Sequence, residues 1–360
     1  MLNKKLAILG ITGSIGTQTV QVARHLGMKI VAASAGRRIE QLEQLKEQYQ
    51  IEAIYSPYGD YDRKLFEEAV FRADILMVSL SNVVELPLVL RFLESGKRVA
   101  IATKEMLILG ADLFAKYRWK NLYPVDSEHA TVYLLMKPYI GSVKEIYLTA
   151  SGGAFRDLTL SEIDVMDPTY AFKHPVWNMG KKITIDSATL ANKGIELLEA
   201  RVLFDVKPSN LKAVLHREVL VHAIVTLEDG FTLLGAYKPS MLLPIQFSLT
   251  YPQLQISLLE EIKWNDLTLH FEDVPTHKYG MYRLALDVLH SDELVNYISY
   301  LIADEIVVEH YIKGNLRFSQ MSLLAEKIIN RLNGNNIPSD PHDRVLWFNE
   351  LKDRAKEVTL

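Results

Sequence analysis

At 360 residues the chain is long enough for two or three domains, because one hydrophobic core usually spans about 100–200 residues. Its 49% apolar and 23% charged residues are ordinary for a globular protein, and a net charge of −4 removes any bulk electrostatic case for binding nucleic acid. The absence of cysteine excludes disulfides, thiolate zinc sites and cysteine nucleophiles, and fits a reducing cytoplasm. No run of about 18 apolar residues marks a membrane span, and the short apolar run at the N-terminus leads into a glycine turn rather than a signal cleavage site.

The first ~125 residues alternate short apolar runs with amphipathic stretches, the pattern of a Rossmann-like α/β layer with a parallel sheet. Strands are predicted at Leu6–Leu9, Lys29–Ser34, Ala53–Tyr55, Ile75–Ser79 and Val99–Ala102, with helices at Thr17–Leu26 and Ile39–Tyr49. From Asp126 the texture becomes α+β, giving a region 126–250. Strands are predicted at Lys144–Ala150 and Lys212–Leu215. His222–Leu227 and Phe231–Ala236 flank Glu228-Asp229-Gly230, a hairpin signal. Ser151 to Gly180 reads as a long loop, of the kind used as a lid or binding element. Residues 251–276 read as a linker and 277–360 as helical. There Leu294, Ile298, Leu301, Ile302 and Ile306 share a helical face, Ser291-Asp292-Glu293 is the predicted start, and Gly314 is the stop. Further helices are predicted over Gln320–Leu332 and Asp343–Lys356.

Gly10, Gly13 and Gly16 follow a predicted strand and open a predicted helix. Glycines there let backbone approach a pyrophosphate, and the helix N-terminus supplies N–H donors. The GxxGxxG spacing is also that of a plain tight turn. The second strand ends in Ser34-Ala35-Gly36-Arg37-Arg38. A carboxylate at this place would accept from ribose hydroxyls; two guanidiniums instead match a 2′-phosphate, which points to NADPH over NADH.

Asp126-Ser127-Glu128 follows Leu122–Val125. Read as extended chain, it places both carboxylates on one face. With Glu196 as a third ligand this is a hard oxygen site for Mg²⁺ or Mn²⁺; the D-x-E pair alone is also a common surface feature. His129 reads as a packing residue or one that supports the ligands from behind, rather than as a ligand itself. The stretch His174 to Glu196 combines a histidine, Trp177, Ser187, Asn192, Lys193 and Glu196. Asn192 and Glu196 are four apart on one helical face. Ser187, Asn192 and Lys193 read as a phosphate grip to which Ser151 of the Ser-Gly-Gly turn would add a hydroxyl, with helix capping and surface charge as the plainer alternative, and Glu199 reads as surface charge paired with Arg201.

These residues together resemble the 1-deoxy-D-xylulose 5-phosphate reductoisomerase family. The resemblance rests on GITGSIG, ATKE, PVDSEH, TASGGAFRD, HPVWNMGKKITIDSATLANKGIELLEARVLF and DGFTLLGAYKPSMLLPI. It covers residues 3 to about 250 and extends more faintly through the C-terminal helices. It implies an NADPH domain, a central catalytic and dimerisation domain, and a C-terminal helical domain, assembled as a cytoplasmic homodimer. It implies NADPH- and Mn²⁺- or Mg²⁺-dependent isomerisation and reduction of 1-deoxy-D-xylulose 5-phosphate to 2-C-methyl-D-erythritol 4-phosphate, a step of non-mevalonate isoprenoid synthesis. The metal ligands would be Asp126, Glu128 and Glu196. Substrate would meet Lys104, Ser127, Glu128, Ser151, His174, Ser187, Asn192, Lys193 and Glu196, with Trp177 on a lid; Lys104, Glu128, His174 and Trp177 would serve catalysis. The cofactor would touch Thr12, Gly13, Ser14, Ile15, Gly36, Arg37, Arg38, Thr103, Glu105 and Gly180, with Met179 and Met241 near the nicotinamide. The chain departs from the family pattern at Thr103, Met106, Arg217-Glu218-Val219, Ser240 and Leu242. Two other readings fit the residues: an NADPH reductase for another phosphorylated aldehyde or ketone, and a catalytically silent NADPH sensor.

Overall fold

The computed structural model describes residues 4–172 and 180–360. The chain forms two compact units. The first comprises Met1–Leu107, Asp112–Ala130 and Ser240–Glu261; the second comprises Ile108–Ala111, Thr131–Pro239 and Ile262–Leu360.

The first unit is built on six strands: β1 (Lys5–Leu9), β2 (Lys29–Ser34), β3 (Ala53–Tyr55), β4 (Ile75–Val78), β5 (Arg98–Ile101) and β6 (Leu122–Pro124). Their order is β3-β2-β1-β4-β5-β6 and every pairing is parallel. Helices cover a parallel sheet on both faces, so its strands are continuous apolar runs; Leu6, Ala7, Ile8 and Leu9 are all fully buried. The order reverses between β1 and β4, which opens a crevice at the carboxyl ends of the strands.

The helix Ser14–Leu26 buries Val20, Val22, Ala23 and Leu26. It ends at Gly27, whose φ of 66° lets its N–H reach the carbonyls of Ala23 and Arg24. It packs on the helix Leu242–Thr250, whose Ile245 and Leu249 join the same core as Ile8, Ile30 and Met77. Ser240–Glu261, which the sequence reading divides between a catalytic region and a linker, thus belongs to the first unit. Arg98 secures it, donating to the Tyr251 carbonyl at 2.5 Å and lying 4.3 Å above the Tyr123 ring.

The second unit holds a five-stranded mixed sheet, β10-β9-β7-β8-β11, from β7 (Val143–Ala150), β8 (Leu211–Leu215), β9 (Val221–Leu227), β10 (Thr232–Ala236) and β11 (Glu272–Asp273). β9 and β10 form the expected antiparallel hairpin, with Gly230 at φ 93° in its turn. β7 and β8 are parallel, so the chain must cross over between them. The helices Lys181–Ala188 and Ala191–Phe204 lie in that crossover. The helices Gly280–Ser291, Leu294–Ile312, Phe318–Leu332 and Pro341–Ala355 complete the unit. Leu294–Ile312 starts and stops where the periodicity predicts, with Ile298 and Ile302 fully buried.

Two local expectations are corrected. The long loop after Ser151 contains a helix, Leu160–Asp164, and a 3₁₀ turn, Pro168–Phe172. Thr159 and Glu162 form a capping box that starts the helix, the T-x-x-E signal of an N-terminus. The segment after β6 is not extended: Ser127–Met136 is a helix. Asp126 accepts from the N–H groups of Glu128 (3.2 Å) and His129 (3.5 Å), so its side chain caps that helix. Asp126 thus lies outside the helix as its cap and Glu128 within its first turn, and this helix start, not an extended chain, brings carboxylate oxygens of the two within 4.8 Å of each other.

Candidate active site

The carboxyl ends of all six parallel strands carry residues singled out above or bonded to them; after β3, Ser56 donates to the Gly36 carbonyl at 2.9 Å. After β1, the N–H groups of Gly10 and Ile11 both donate to the Ser34 carbonyl at 2.9 Å, which draws the glycine turn against the end of β2. Gly10 has φ 88°, and a Cβ there would lie 2.3 Å from the Ser79 carbonyl oxygen after β4. A Cβ at Gly16 would lie 2.2 Å from the Gly10 oxygen. Only glycine permits these approaches. Gly13 caps the helix with backbone alone, and the first turn carries no acidic residue. Its N–H groups and positive dipole end suit an anion. Thr12 is buried, Ser14 is exposed, and Ile15 packs on the core below.

After β2, Gly36, Arg37 and Arg38 are exposed. Arg38 donates from Nη1 to the Thr12 carbonyl at 2.7 Å and so ties this turn to the glycine turn. Arg37 lies 5.5 Å from the Tyr58 ring centre, a cation–π distance. After β5, the buried Thr103 hydroxyl accepts from Leu80 N–H (2.9 Å) and donates to the Leu80 carbonyl (3.0 Å), bridging β5 to β4. Glu105 is half-buried, while Met106 is fully buried, which makes its departure from the family pattern a core substitution. Lys104 and Asp126 form an ion pair at 2.7 Å, with His129 Nδ1 at 3.2 Å from the other carboxylate oxygen. Ser127 donates to Glu128 at 2.5 Å. His129 is fully buried, in keeping with a packing role. Met241 is half-buried on the core at the start of Leu242–Thr250, where the Ser240 hydroxyl accepts the Leu242 N–H at 3.1 Å.

In the second unit the Ser-Gly-Gly turn follows β7. The Ser151 hydroxyl accepts from Gly153 N–H at 3.2 Å. Gly152 and Gly153 have φ of 83° and 65°, and a Cβ on Gly153 would lie 2.4 Å from the Ser187 carbonyl. At Gly153 the turn therefore lies directly on the end of the helix Lys181–Ala188, against the Ser187 and Ala188 backbone. Tyr279 donates to the Gly152 carbonyl at 3.2 Å, and Lys278 donates to the Phe155 (2.7 Å) and Arg156 (3.0 Å) carbonyls. Burial pushes the Lys278 ammonium below the usual lysine range.

The helix Ala191–Phe204 is buried on nearly all sides. Asn192 donates to Glu196, and Lys193 forms an ion pair with Glu196. Lys193 and Glu196 are 4% and 1% exposed; compensation by an adjacent ammonium and amide makes such burial tolerable. The two residues expected on the phosphate thus meet the expected metal ligand. Glu199 is corrected: it is 3% exposed, not surface charge, because its helix has little free face. Arg201 pairs instead with Asp205 (2.5 Å) and Asp292 (2.7 Å). The divergent His216-Arg217-Glu218 turn is a polar clasp. His216 bonds the His270 carbonyl at 2.9 Å and accepts from Leu220 and Val221, Arg217 pairs with Asp157 and Glu272, and Glu218 pairs with His270. Gly180 is exposed and precedes Lys181–Ala188. His174, Trp177 and Met179 lie outside the described residues.

Sequence reasoning missed one cluster. Lys182 pairs with Asp186 at 2.7 Å and also with Asp304, which is fully buried. The signals were the i,i+4 spacing of Lys182 and Asp186 and an aspartate inside a largely apolar helical run.

The donor set fits a divalent cation. Asp126 and Glu128 are half-buried and Glu196 is buried, each offers carboxylate oxygen, and the chain has no thiol. The uncapped helix start and the exposed Arg37 and Arg38 fit a phosphorylated dinucleotide.

Models of the 1-deoxy-D-xylulose 5-phosphate reductoisomerase match residues 6–69, and models of its C-terminal domains match 122–204 and 237–356. The enzyme of that name from Thermotoga neapolitana is 34% identical, over 100% of this chain and 98% of its own. That from Thermotoga maritima is 35% identical over the same shares. A crystal structure of DOX-P reductoisomerase in complex with NADPH, fosmidomycin and magnesium superposes with a TM-score of 0.87 at 26% identity, covering 98% of this chain and 97% of that one. The Zymomonas mobilis enzyme in complex with NADPH gives 0.87 at 27% identity, over 98% of each chain.

Proposed function

The chain belongs to the 1-deoxy-D-xylulose 5-phosphate reductoisomerase family, and from that premise we propose that it converts 1-deoxy-D-xylulose 5-phosphate to 2-C-methyl-D-erythritol 4-phosphate, with NADPH as reductant and a divalent cation as cofactor. The observation that carries this reading is the match over the whole chain to enzymes of that name, two of whose solved structures hold NADPH.

Asp126, Glu128 and Glu196 are the proposed cation ligands. When bound, the cation supplies Lewis-acid stabilisation of the oxyanion that develops as the sugar skeleton rearranges, and NADPH supplies the hydride that reduces the resulting aldehyde. The glycine turn and the start of Ser14–Leu26 take the dinucleotide's pyrophosphate, and Arg37 and Arg38 take its 2′-phosphate. Thr103, Glu105 and Gly180 are further proposed cofactor contacts, and Met179 and Met241 are the residues proposed for the nicotinamide. Ser151, Ser187, Asn192 and Lys193 hold the substrate phosphate, and this fixed anchor contributes to rate through positioning. Lys104, which pairs with Asp126, and Glu128 are the proposed groups that hold or move a proton at a substrate oxygen, and Ser127 and His174 are proposed substrate contacts. Trp177, outside the described residues, is a further proposed substrate contact.

We also propose a cytoplasmic homodimer. The lack of cysteine supports the compartment, and no described helix is long and apolar enough to cross a membrane. The edge strand β10 supports the dimer, since Leu234 on it and Phe231 beside it are exposed. A monomer at micromolar concentration in sedimentation equilibrium would count against it.

The test is oxidation of NADPH, followed by absorbance, with Mn²⁺ and 1-deoxy-D-xylulose 5-phosphate. Turnover that Glu128→Gln abolishes supports the reading. NADPH oxidation only with other sugar phosphates or aldehydes would transfer the chain to a different reductase activity, and tight NADPH binding without turnover would make it a sensor.

A further inference from the structure

Helix Lys181–Ala188 has eight residues, too few to hold its own position in water. Ile185 and Ala188 bury its apolar side. Its other anchor is polar: Lys182 and Asp186, one turn apart, pair at 2.7 Å, and Lys182 also pairs with Asp304. Asp304 comes from the middle of Leu294–Ile312, between Ala303 and Ile306, and is fully buried. Asp304 Oδ1 has no hydrogen-bond partner among the described residues. Two buried carboxylates sharing one ammonium are a poor source of stability, since well-packed apolar side chains at the same place would do as well or better. What the cluster does supply is a unique position.

The same long helix also touches the second phosphate-binding segment. Tyr300, one turn before Asp304, donates to the Met281 carbonyl at 2.9 Å, and a Cβ on Gly194 would lie 3.4 Å from its hydroxyl. One element thus abuts both the helix Lys181–Ala188, which carries Ser187, and the helix Ala191–Phe204, which carries Asn192 and Lys193 in its first turn.

We propose that Asp304 is a positioning residue for phosphate recognition: through Lys182 and Asp186 it fixes the helix that presents Ser187 beside the Ser151 turn. This rests on the reading above, in which Ser151 and Ser187 take the substrate phosphate. The experiment compares full-length wild type with Asp304→Asn, Lys182→Met and the double variant. Losing one charge-assisted contact is expected to raise KM for 1-deoxy-D-xylulose 5-phosphate roughly tenfold, while KM for NADPH stays within about twofold. Both changes break the Lys182–Asp304 contact, and Lys182→Met also frees Asp186, so the double variant is expected to be no worse than Lys182→Met alone. Lys182→Arg is expected to restore most of the loss. A lowered urea midpoint with unchanged KM, or additive effects in the double variant, would overturn the proposal. If Asp304→Asn does not fold, Lys182→Met decides alone, because that side chain is 37% exposed. Calorimetric titration with inorganic phosphate reads the same split without turnover. Weakened phosphate binding in the variants supports the proposal, and equal affinity overturns it. Failure of wild type to turn over the sugar phosphate would refute the substrate instead.

Discussion

Gly153→Ala is the most direct probe of the phosphate pocket. The new methyl group would sit 2.4 Å from the Ser187 carbonyl oxygen and 2.7 Å from Ala188 Cα, both backbone atoms. To reach ordinary contact the turn and the helix end must part by about 1 Å, in an interior packed too densely to absorb it. Alanine at φ 65° adds a left-handed conformation costing about 1–2 kcal/mol, and overpacking costs about 1–3 kcal/mol more, so about 2–5 kcal/mol of stability should be lost. The functional effect is separate. A displacement of about 1 Å in a group that positions substrate can cost on the order of 100-fold in kcat/KM. Urea denaturation measures the first effect, and initial rates with varied sugar phosphate and varied NADPH measure the second. Gly96→Ala is the control: its φ is 78°, but a Cβ there meets nothing within 4 Å. It should lose only the left-handed penalty and keep wild-type KM values. If Gly153→Ala keeps wild-type KM for the sugar phosphate, or behaves like Gly96→Ala, the Ser151 turn and Ser187 do not share a phosphate.

Arg37→Ala combined with Arg38→Ala is expected to reduce the preference for NADPH over NADH by about 100-fold, from two charge-assisted contacts of about 1.5–3 kcal/mol each discounted for exposure. An unchanged ratio of the two kcat/KM values would disprove the 2′-phosphate assignment. Asp292→Asn addresses acid stability. The hydrogen bond from Arg201 holds the Asp292 carboxyl below the usual aspartate value of 3.8. Its contribution is therefore complete above that value and is lost as pH falls through the lower folded value. Both side chains are partly exposed, so the variant should lose no more than about 1 kcal/mol at neutral pH. The gap between wild type and variant in urea midpoints should close in strong acid; a gap that persists there would contradict the pairing.

The parallel sheet was legible in the amino-acid order because its strands are buried on both faces. An uninterrupted apolar run such as Ile75-Leu76-Met77-Val78 needs no tertiary information to be seen. The glycine turn was legible for a related reason: Gly10 and Gly16 mark backbone approaches that no other residue allows. The helix face joining Asn192 to Glu196 followed from its four-residue spacing alone. Other features depended on partners distant in sequence. Asp126 looked like part of an extended carboxylate pair, and only the N–H groups it caps reveal a helix start. Glu199 looked solvated until its helix proved to be enclosed. Ser240–Glu261 joins the first unit because Ile245 and Leu249 complete a core whose other side chains lie some two hundred positions earlier. Asp304 was one of two adjacent carboxylates in a largely apolar helix, and its pairing with Lys182 gives it a meaning that the spacing does not. Local periodicity encodes which face of an element is buried, but the group that meets that face is settled by long-range packing.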